Sequence, residues 1–141
     1  MSVVFVYGTL TDPDRLSSVV DQYSLGPPAI CEGFRRVDGE YPTLAPGRQT
    51  SGRLIETPEM DVLDSYEGLD RGLYCRVSVP LVAVPPTASP QFAVETVEVY
   101  VGSPRLLGVD ELIEWPSSGG LEHQITQYIE SHPVRIHLDY H

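Results

Sequence analysis

Val3-Val4-Phe5-Val6-Tyr7-Gly8-Thr9-Leu10 opens the chain with four consecutive β-branched or aromatic residues and then breaks at a glycine. Such a run reads as a strand buried on both faces. Gly8 marks its end, glycine being the residue that takes positive φ without strain. Thr11-Asp12-Pro13-Asp14 follows and reads as a helix start. Thr11 or Asp12 serves as N-cap, Pro13 falls at or near the first helical position, and acids fill the first turn. A buried strand that turns sharply into a helix gathers free backbone N–H groups at one point. That loop suits an anion, and a carboxylate rather than a phosphate, because no P-loop lysine follows. The plain alternative is a chain reversal with no ligand.

Working outward, Leu16, Val19, Val20 and Tyr23 share one helical face, which the pattern ends near Gly26-Pro27-Pro28. Residues 29–37 read as a second strand and Asp38-Gly39-Glu40 as a polar turn. Residues 41–47 carry too much proline for a central strand and are expected at an edge or in a loop. Gly52 to Glu56 is a short strand. Thr57-Pro58-Glu59 then signals a helix with Thr57 as cap, Pro58 first, and Met60, Leu63 and Tyr66 or Glu67 on one face, stopping at Gly68. Residues 74–84 alternate as a strand, with Pro80 marking an edge or bulge. Residues 85–90 read as a stiff hairpin loop, and 93–101 as the returning strand. Beyond Gly102 the pattern predicts a helix over 110–115, another over 121–131 with Leu121, Ile125, Tyr128 and Ile129 inward, and an alternating strand over 134–138. Strands outnumber short, scattered helices. The expectation is an α+β fold with a mixed, strongly curved or barrel-like sheet and short flanking helices.

The 141 residues suit a single domain with a sizeable core. No apolar run approaches a membrane span and no signal-type leader is visible, so a cytoplasmic protein is expected. There are 20 acids against nine cations, a net charge of −11, and every cation is arginine. That balance argues against nucleic acid and anionic membranes as partners. Acid excess without lysine also resembles proteins from halophilic organisms, whose cytoplasmic salt screens surface repulsion; an arginine-rich codon bias is the alternative. Cys31 and Cys75 lie far apart without metal-ligand spacing and read as buried thiols. The histidines at 123, 132, 137 and 141 show no ligand spacing either and read as surface residues. Trp115 reads as a core anchor for the tail.

Three stretches in order carry a resemblance: Tyr7-Gly8-Thr9-Leu10 after the apolar strand, Leu63-Asp64-Ser65-Tyr66-Glu67-Gly68, and Tyr74-Cys75-Arg76-Val77. Together they resemble the γ-glutamylcyclotransferase-like family, which includes the avirulence-induced and γ-glutamylamine cyclotransferase proteins. Gly33-Phe34, Tyr41-Pro42, the Gly52 strand and Val99-Tyr100-Val101 fall in matching places. The resemblance spans about residues 3–102 and leaves the helical tail, 103–141, uncovered. It implies a small-molecule γ-glutamyl substrate whose own α-amine attacks the γ-carbonyl, releasing 5-oxoproline and the former amide partner, with no metal or cofactor. It implies Glu67 as general acid and base, residues Gly8, Thr9 and Leu10 on the substrate carboxylate, and Tyr7 and Tyr74 in the pocket.

For several of these residues a plainer reading stands beside the functional one. Glu67 without its flanking motifs would be an exposed helix-end acid, and Tyr74 could be strand packing. Arg76 could orient a carboxylate but is expected in a structural ion pair. Tyr41 and Tyr100 are weaker pocket candidates, more often core aromatics than ligand contacts. The family's other branch has Ser-Asn after Tyr-Gly, whereas this chain has Thr9-Leu10. That departure places it with the γ-glutamylamine type and puts glutathione and simple γ-glutamyl dipeptides in doubt as substrates. Besides a cyclotransferase, the same pocket could serve a non-catalytic module that binds a small carboxylate, or a deacylase acting on a larger leaving group.

Overall fold

In the computed structural model, which describes residues 2–82, 92 and 94–139, the N-terminal apolar run forms β1 (Ser2–Val6), buried from Val3 to Val6. With apolar side chains on both faces it takes an interior place in the sheet. It runs antiparallel to β3 (Pro42–Thr57) and parallel to β5 (Thr96–Gly102). With β2 (Ser24–Asp38), β4 (Tyr74–Pro80) and β6 (Arg135–Leu138), the sheet has six strands in the order β4-β5-β1-β3-β2-β6. It curls until its edges touch. Leu81 bridges Ile136, and the Val82 N–H donates to the Ile136 carbonyl at 2.8 Å. Such closure leaves fewer unpaired edge groups. The expected α+β architecture, a mixed barrel-like sheet with short helices, is the one observed. Phe5, Phe34, Leu44, Leu54 and Ile136 are fully buried in its core.

Prolines are accommodated in ways the local pattern does not foretell. Helix α1 (Pro13–Val19) stops at Val20, short of the expected end, and Gly26-Pro27-Pro28 lies inside β2. There the β2–β3 ladder breaks register between Leu25 and Pro28, so the missing N–H groups remove no regular ladder bond. Residues 42–47, expected at an edge or in a loop, belong to β3, a strand of 16 residues. The β1 ladder reaches β3 only from Arg53 to Thr57. Pro42 and Pro46 therefore lie where β3 is laddered to β2 alone, which is edge character within a strand that becomes central further on. A second register break falls at Gly33, with φ 100°, where a Cβ would come within 2.8 Å of Val134 Cγ2. This bulge bends the long hairpin.

The tail joins the same sheet. Helix α3 (Leu121–Ser131) spans the expected residues and buries Ile125 and Tyr128, with Leu121 and Ile129 packed against the core. β6 then pairs with β2. Phe34, Trp115 and Tyr128 form an aromatic cluster with ring centroids 5.6–6.0 Å apart, and the Tyr128 hydroxyl donates to the Gly33 carbonyl at 2.6 Å. Trp115 is thus buried as the core anchor expected for the tail. The helix expected over 110–115 is absent: residues 110–112 form a turn and 113–115 no regular element, with Ile113 and Trp115 pointing inward while Glu114 is exposed. That alternation is extended chain, and Pro116 ends it. The hairpin loop expected at 85–90 lies outside the described residues, as do 83, 84 and 93 at the expected strand ends.

Both cysteines are free, Cys31 buried and Cys75 partly so, and burial pushes each thiol up to about 12. His123 and His132 are exposed and His137 partly exposed; His141 lies outside the described residues. No helix among the described residues is long and apolar enough to cross a membrane.

Candidate active site

Where β1 runs out, the sheet leaves a cavity of about 310 Å³, near the lower end of the roughly 300–1,000 Å³ seen for ligand pockets. Tyr7, Gly8, Thr9, Leu10, Glu67 and Tyr74, widely spaced in the sequence, all line it. The described tail residues do not.

Glu67 is placed by a short helix and a glycine. Thr57, the last residue of β3, accepts from the Glu59 N–H at 3.1 Å and donates to the Gln22 carbonyl at 2.6 Å. Helix α2 (Met60–Tyr66) starts after it, so Pro58 precedes the helix rather than opening it. Leu63 is buried, Met60 partly buried, and Tyr66 stands at the cavity with 39% of its surface exposed. Glu67 caps the helix, its N–H donating to the Leu63 carbonyl at 2.9 Å. Gly68 follows with φ 72°, a left-handed conformation suited to glycine at a helix end. The Gly68 carbonyl accepts from the Arg71 and Leu73 N–H groups at 3.0 and 3.1 Å, turning the chain back toward β4. Burial pushes the Glu67 carboxyl up to about 7. The side chain is poised to exist in both protonation states near neutral pH.

Three tyrosines wall the carboxyl, and each hydroxyl is tied. Tyr7 donates to the Tyr100 carbonyl, Tyr74 to the Pro42 carbonyl, and Tyr100 to Asp64 Oδ1 at 2.7 Å. Asp64 in turn meets Arg76 Nη1 at 3.1 Å, so Arg76 is in the structural ion pair expected of it. Burial raises all three phenols, and the charge of Glu67 adds to the shift. They stay neutral across the physiological range and hold the walls in place. Tyr100 and Tyr41, the weaker pocket candidates, both line the cavity; Tyr100 is also buried in the core, whereas Tyr41 has 52% of its surface exposed.

The loop after β1 departs from one expectation. Gly8 has φ −123°, so positive φ is not why glycine stands there, and a Cβ would sit 3.4 Å from Pro42 Cγ, an ordinary contact. The β1–β3 ladder ends at Val6, so residues 8–10 lie beyond it and begin a 3₁₀ turn over Thr9–Thr11. The Gly8 carbonyl accepts from both the Thr11 N–H at 3.1 Å and the Thr11 hydroxyl at 2.7 Å. That fixes the peptide plane whose opposite side carries the Thr9 N–H. The Tyr7 carbonyl accepts from Arg36 Nη1 at 2.7 Å. Asp12 caps α1, accepting from the Asp14 N–H at 3.2 Å, with Pro13 in the first turn. A rigid loop with early-turn amides facing no strand partner can receive a carboxylate.

Arg15, Tyr66, Arg71 and Leu73 also line the cavity. Tyr66 stands in the motif before Glu67 but reads only as a helix-face residue, and the sequence patterns single out none of the other three. Arg71 lies four residues past Glu67, between two recognisable motifs; its nearness to Glu67 in the sequence was the only available signal. Arg15 sits on the exposed side of α1, where no periodicity marks a site.

A family model described as gamma-glutamyl cyclotransferase, AIG2-like, matches residues 4–117, extending past the motif-bearing stretch to include Trp115. None of the curated proteins compared matches in sequence. Among solved structures, one titled gamma-glutamyl cyclotransferase is 15% identical with a TM-score of 0.56, over 93% of this chain and 99% of that one. An uncharacterized protein from Homo sapiens is 16% identical with a TM-score of 0.58, over 92% and 98%. A protein from Arabidopsis thaliana is 25% identical with a TM-score of 0.55, over 92% and 87%. These structures share the fold. With the family model spanning most of its length, the chain belongs to the gamma-glutamyl cyclotransferase, AIG2-like family.

Proposed function

We propose that this protein is a cyclotransferase that converts a γ-glutamyl amine or peptide to 5-oxoproline and the free amine. The observation that carries the reading is Glu67: a carboxyl pushed up to about 7 by burial, in a cavity beside the Tyr7–Leu10 loop. The loop amides of residues 8–10 hold the substrate α-carboxylate, and Tyr7 and Tyr74 pack its carbon chain. Glu67 takes a proton from the α-ammonium. The freed amine attacks the γ-carbonyl carbon, forming the new C–N bond of the ring. As the tetrahedral intermediate collapses, the old C–N bond breaks and Glu67 returns its proton to the leaving nitrogen. The second proton of the attacking nitrogen passes to the departing amine, which leaves as an ammonium ion. Water is neither added nor released. The attack is intramolecular, so folding the substrate into the reactive conformer supplies much of the rate.

The test is release of 5-oxoproline, read by mass, from γ-glutamyl-ε-lysine and a set of γ-glutamyl dipeptides. Glu67→Gln should keep most of the binding and lose turnover by about 10²–10⁴-fold, the usual contribution of a general acid or base. The wild-type kcat/KM should fall below a pKa of about 7 as Glu67 becomes protonated. Glu56 and Glu59 are the controls, because neither lines the cavity. Full activity in Glu67→Gln, or an equal loss in the control variants, removes the mechanism. A small acid bound without turnover in any form would favour the binding module.

A further inference from the structure

Among the cavity side chains with no part in the chemistry above, four stand out: Arg15, Arg71, Tyr41 and Tyr66. All four are exposed, which places them at the mouth. The arginines are the informative pair. In a chain with 20 acids and nine cations, an arginine on the surface has acids to choose from. Among the described residues Arg36, Arg76 and Arg135 are ion-paired. Arg15 and Arg71 are in no ion pair there, though both line the one cavity that holds Glu67. Nor is Arg71 spent on Glu67, whose shift is upward and due to burial. Its guanidinium lies over the adjoining turn, with Nη2 only 2.8 Å from where a Cβ on Gly68 would stand. Glycine at 68 therefore leaves room for this cation beside the catalytic turn as well as permitting the turn itself. Arg35, Arg48, Arg53 and Arg105 are also without an ion pair among the described residues, but none of them lines the cavity.

We infer that Arg15 and Arg71 form the leaving-group subsite and select a leaving amine that carries a carboxylate, an amino acid or short peptide rather than a plain amine. The inference rests on the cyclotransferase reading. With the glutamyl portion buried against Glu67 and the loop, the part that departs lies toward the mouth, where the two guanidinium groups meet it. Guanidinium is suited to a carboxylate by its planar fork of donors. A net charge of −11 repels an anionic substrate at long range, so local cations at the entrance offset that repulsion where it matters. The exposed rings of Tyr41 and Tyr66 cover the carbon skeleton between the two charged ends.

The experiment compares γ-glutamyl-phenylalanine with its carboxamide, and γ-glutamyl-ε-lysine with its carboxamide, by rate of 5-oxoproline release. In whichever linkage reacts, the acid should exceed the carboxamide by about tenfold or more in kcat/KM, as for a charge-assisted contact. The double variant Arg15→Gln/Arg71→Gln should remove that preference by raising KM for the acid with kcat little changed. The carboxamide should be turned over as before. Arg48→Gln, which deletes the same charge away from the cavity, should leave both substrates unaffected. Equal rates for acid and carboxamide in the wild type overturn the inference while leaving the cyclotransferase reading intact. So does an equal loss on both substrates in the double variant, which would put the arginines on the glutamyl carboxylate. No 5-oxoproline from any substrate removes the reading itself, and this inference with it.

Discussion

Glu67 shows at a single position how a reactive group strains the stability of its own fold. Its carboxyl titrates near 4.5 when free of the fold and near 7 within it. Between those values the native state retains a proton that the unfolded state has released, so stability falls as pH rises through that window. Above about pH 7 the penalty is complete; below about pH 4.5 it is absent. Glu67→Gln should therefore be more stable than the wild type at pH 8, by about 1–3 kcal/mol after allowing for partial exposure, and nearly equal to it at pH 4. Urea unfolding of both proteins at the two pH values measures this, and an equal difference at both would mean that the carboxyl is not destabilised by burial. Glu67, the Tyr7–Leu10 loop and Tyr74 were legible as site candidates because each sits in a contiguous motif. Arg15 and Arg71 were not, because a cavity mouth is assembled from exposed side chains that leave no periodic trace, and Tyr66, although in the motif of Glu67, reads only as a helix-face residue. Gly8 was read as the right breakpoint for the wrong reason: its φ is negative, and what matters is the strand end at Val6 and the turn that follows.

At the scale of elements, the aromatic cluster ties the tail to the bulge in β2. Trp115 packs edge-on against both Phe34 and Tyr128 and is buried. Trp115→Ala should cost about 3–5 kcal/mol, as large-to-small core changes do. Trp115→Phe should cost less, below about 2 kcal/mol, because the indole N–H has no hydrogen-bond partner among the described residues and its loss forfeits no bond. Denaturant unfolding of the two variants distinguishes these costs; a phenylalanine as damaging as alanine would mean that the N–H is bonded after all. β1 was legible from its unbroken apolar run and the start of α1 from its cap and Pro13, and α3 and β6 because their apolar spacing matches one period over several residues. The long β2–β3 hairpin was not. Its prolines argue locally against strand, and only the ladder shows that they fall at a register break or where β3 is paired on one side. The segment over 110–115 failed for the opposite reason: Leu112, Ile113 and Trp115 look helical in spacing, yet Leu112 is 58% exposed and the buried positions alternate by two.

The whole molecule carries a charge that its folded state does not neutralise. Against 20 acids and nine arginines, the ion pairs of Arg36, Arg76 and Arg135 seen among the described residues account for Asp38, Asp64, Glu98 and Glu32. Pairs this exposed contribute little, and folding brings the remaining acids closer together than they are in the extended chain. The resulting repulsion should be sensitive to salt, since the Debye length falls from about 10 Å at 0.1 M to about 3 Å at 1 M. The melting temperature at pH 7.5 should then rise by at least about 4 °C between 0.1 M and molar KCl, equivalent to about 1 kcal/mol. Salt can also stabilise a fold by being excluded from its surface, whatever the charge. The two causes separate at pH 4.5, close to the isoelectric point of the chain. There the net charge is near zero, and a rise that comes from screened repulsion should vanish. A rise of the same size at both pH values would assign the effect to exclusion, and a flat curve at pH 7.5 would leave the missing lysines to codon bias alone.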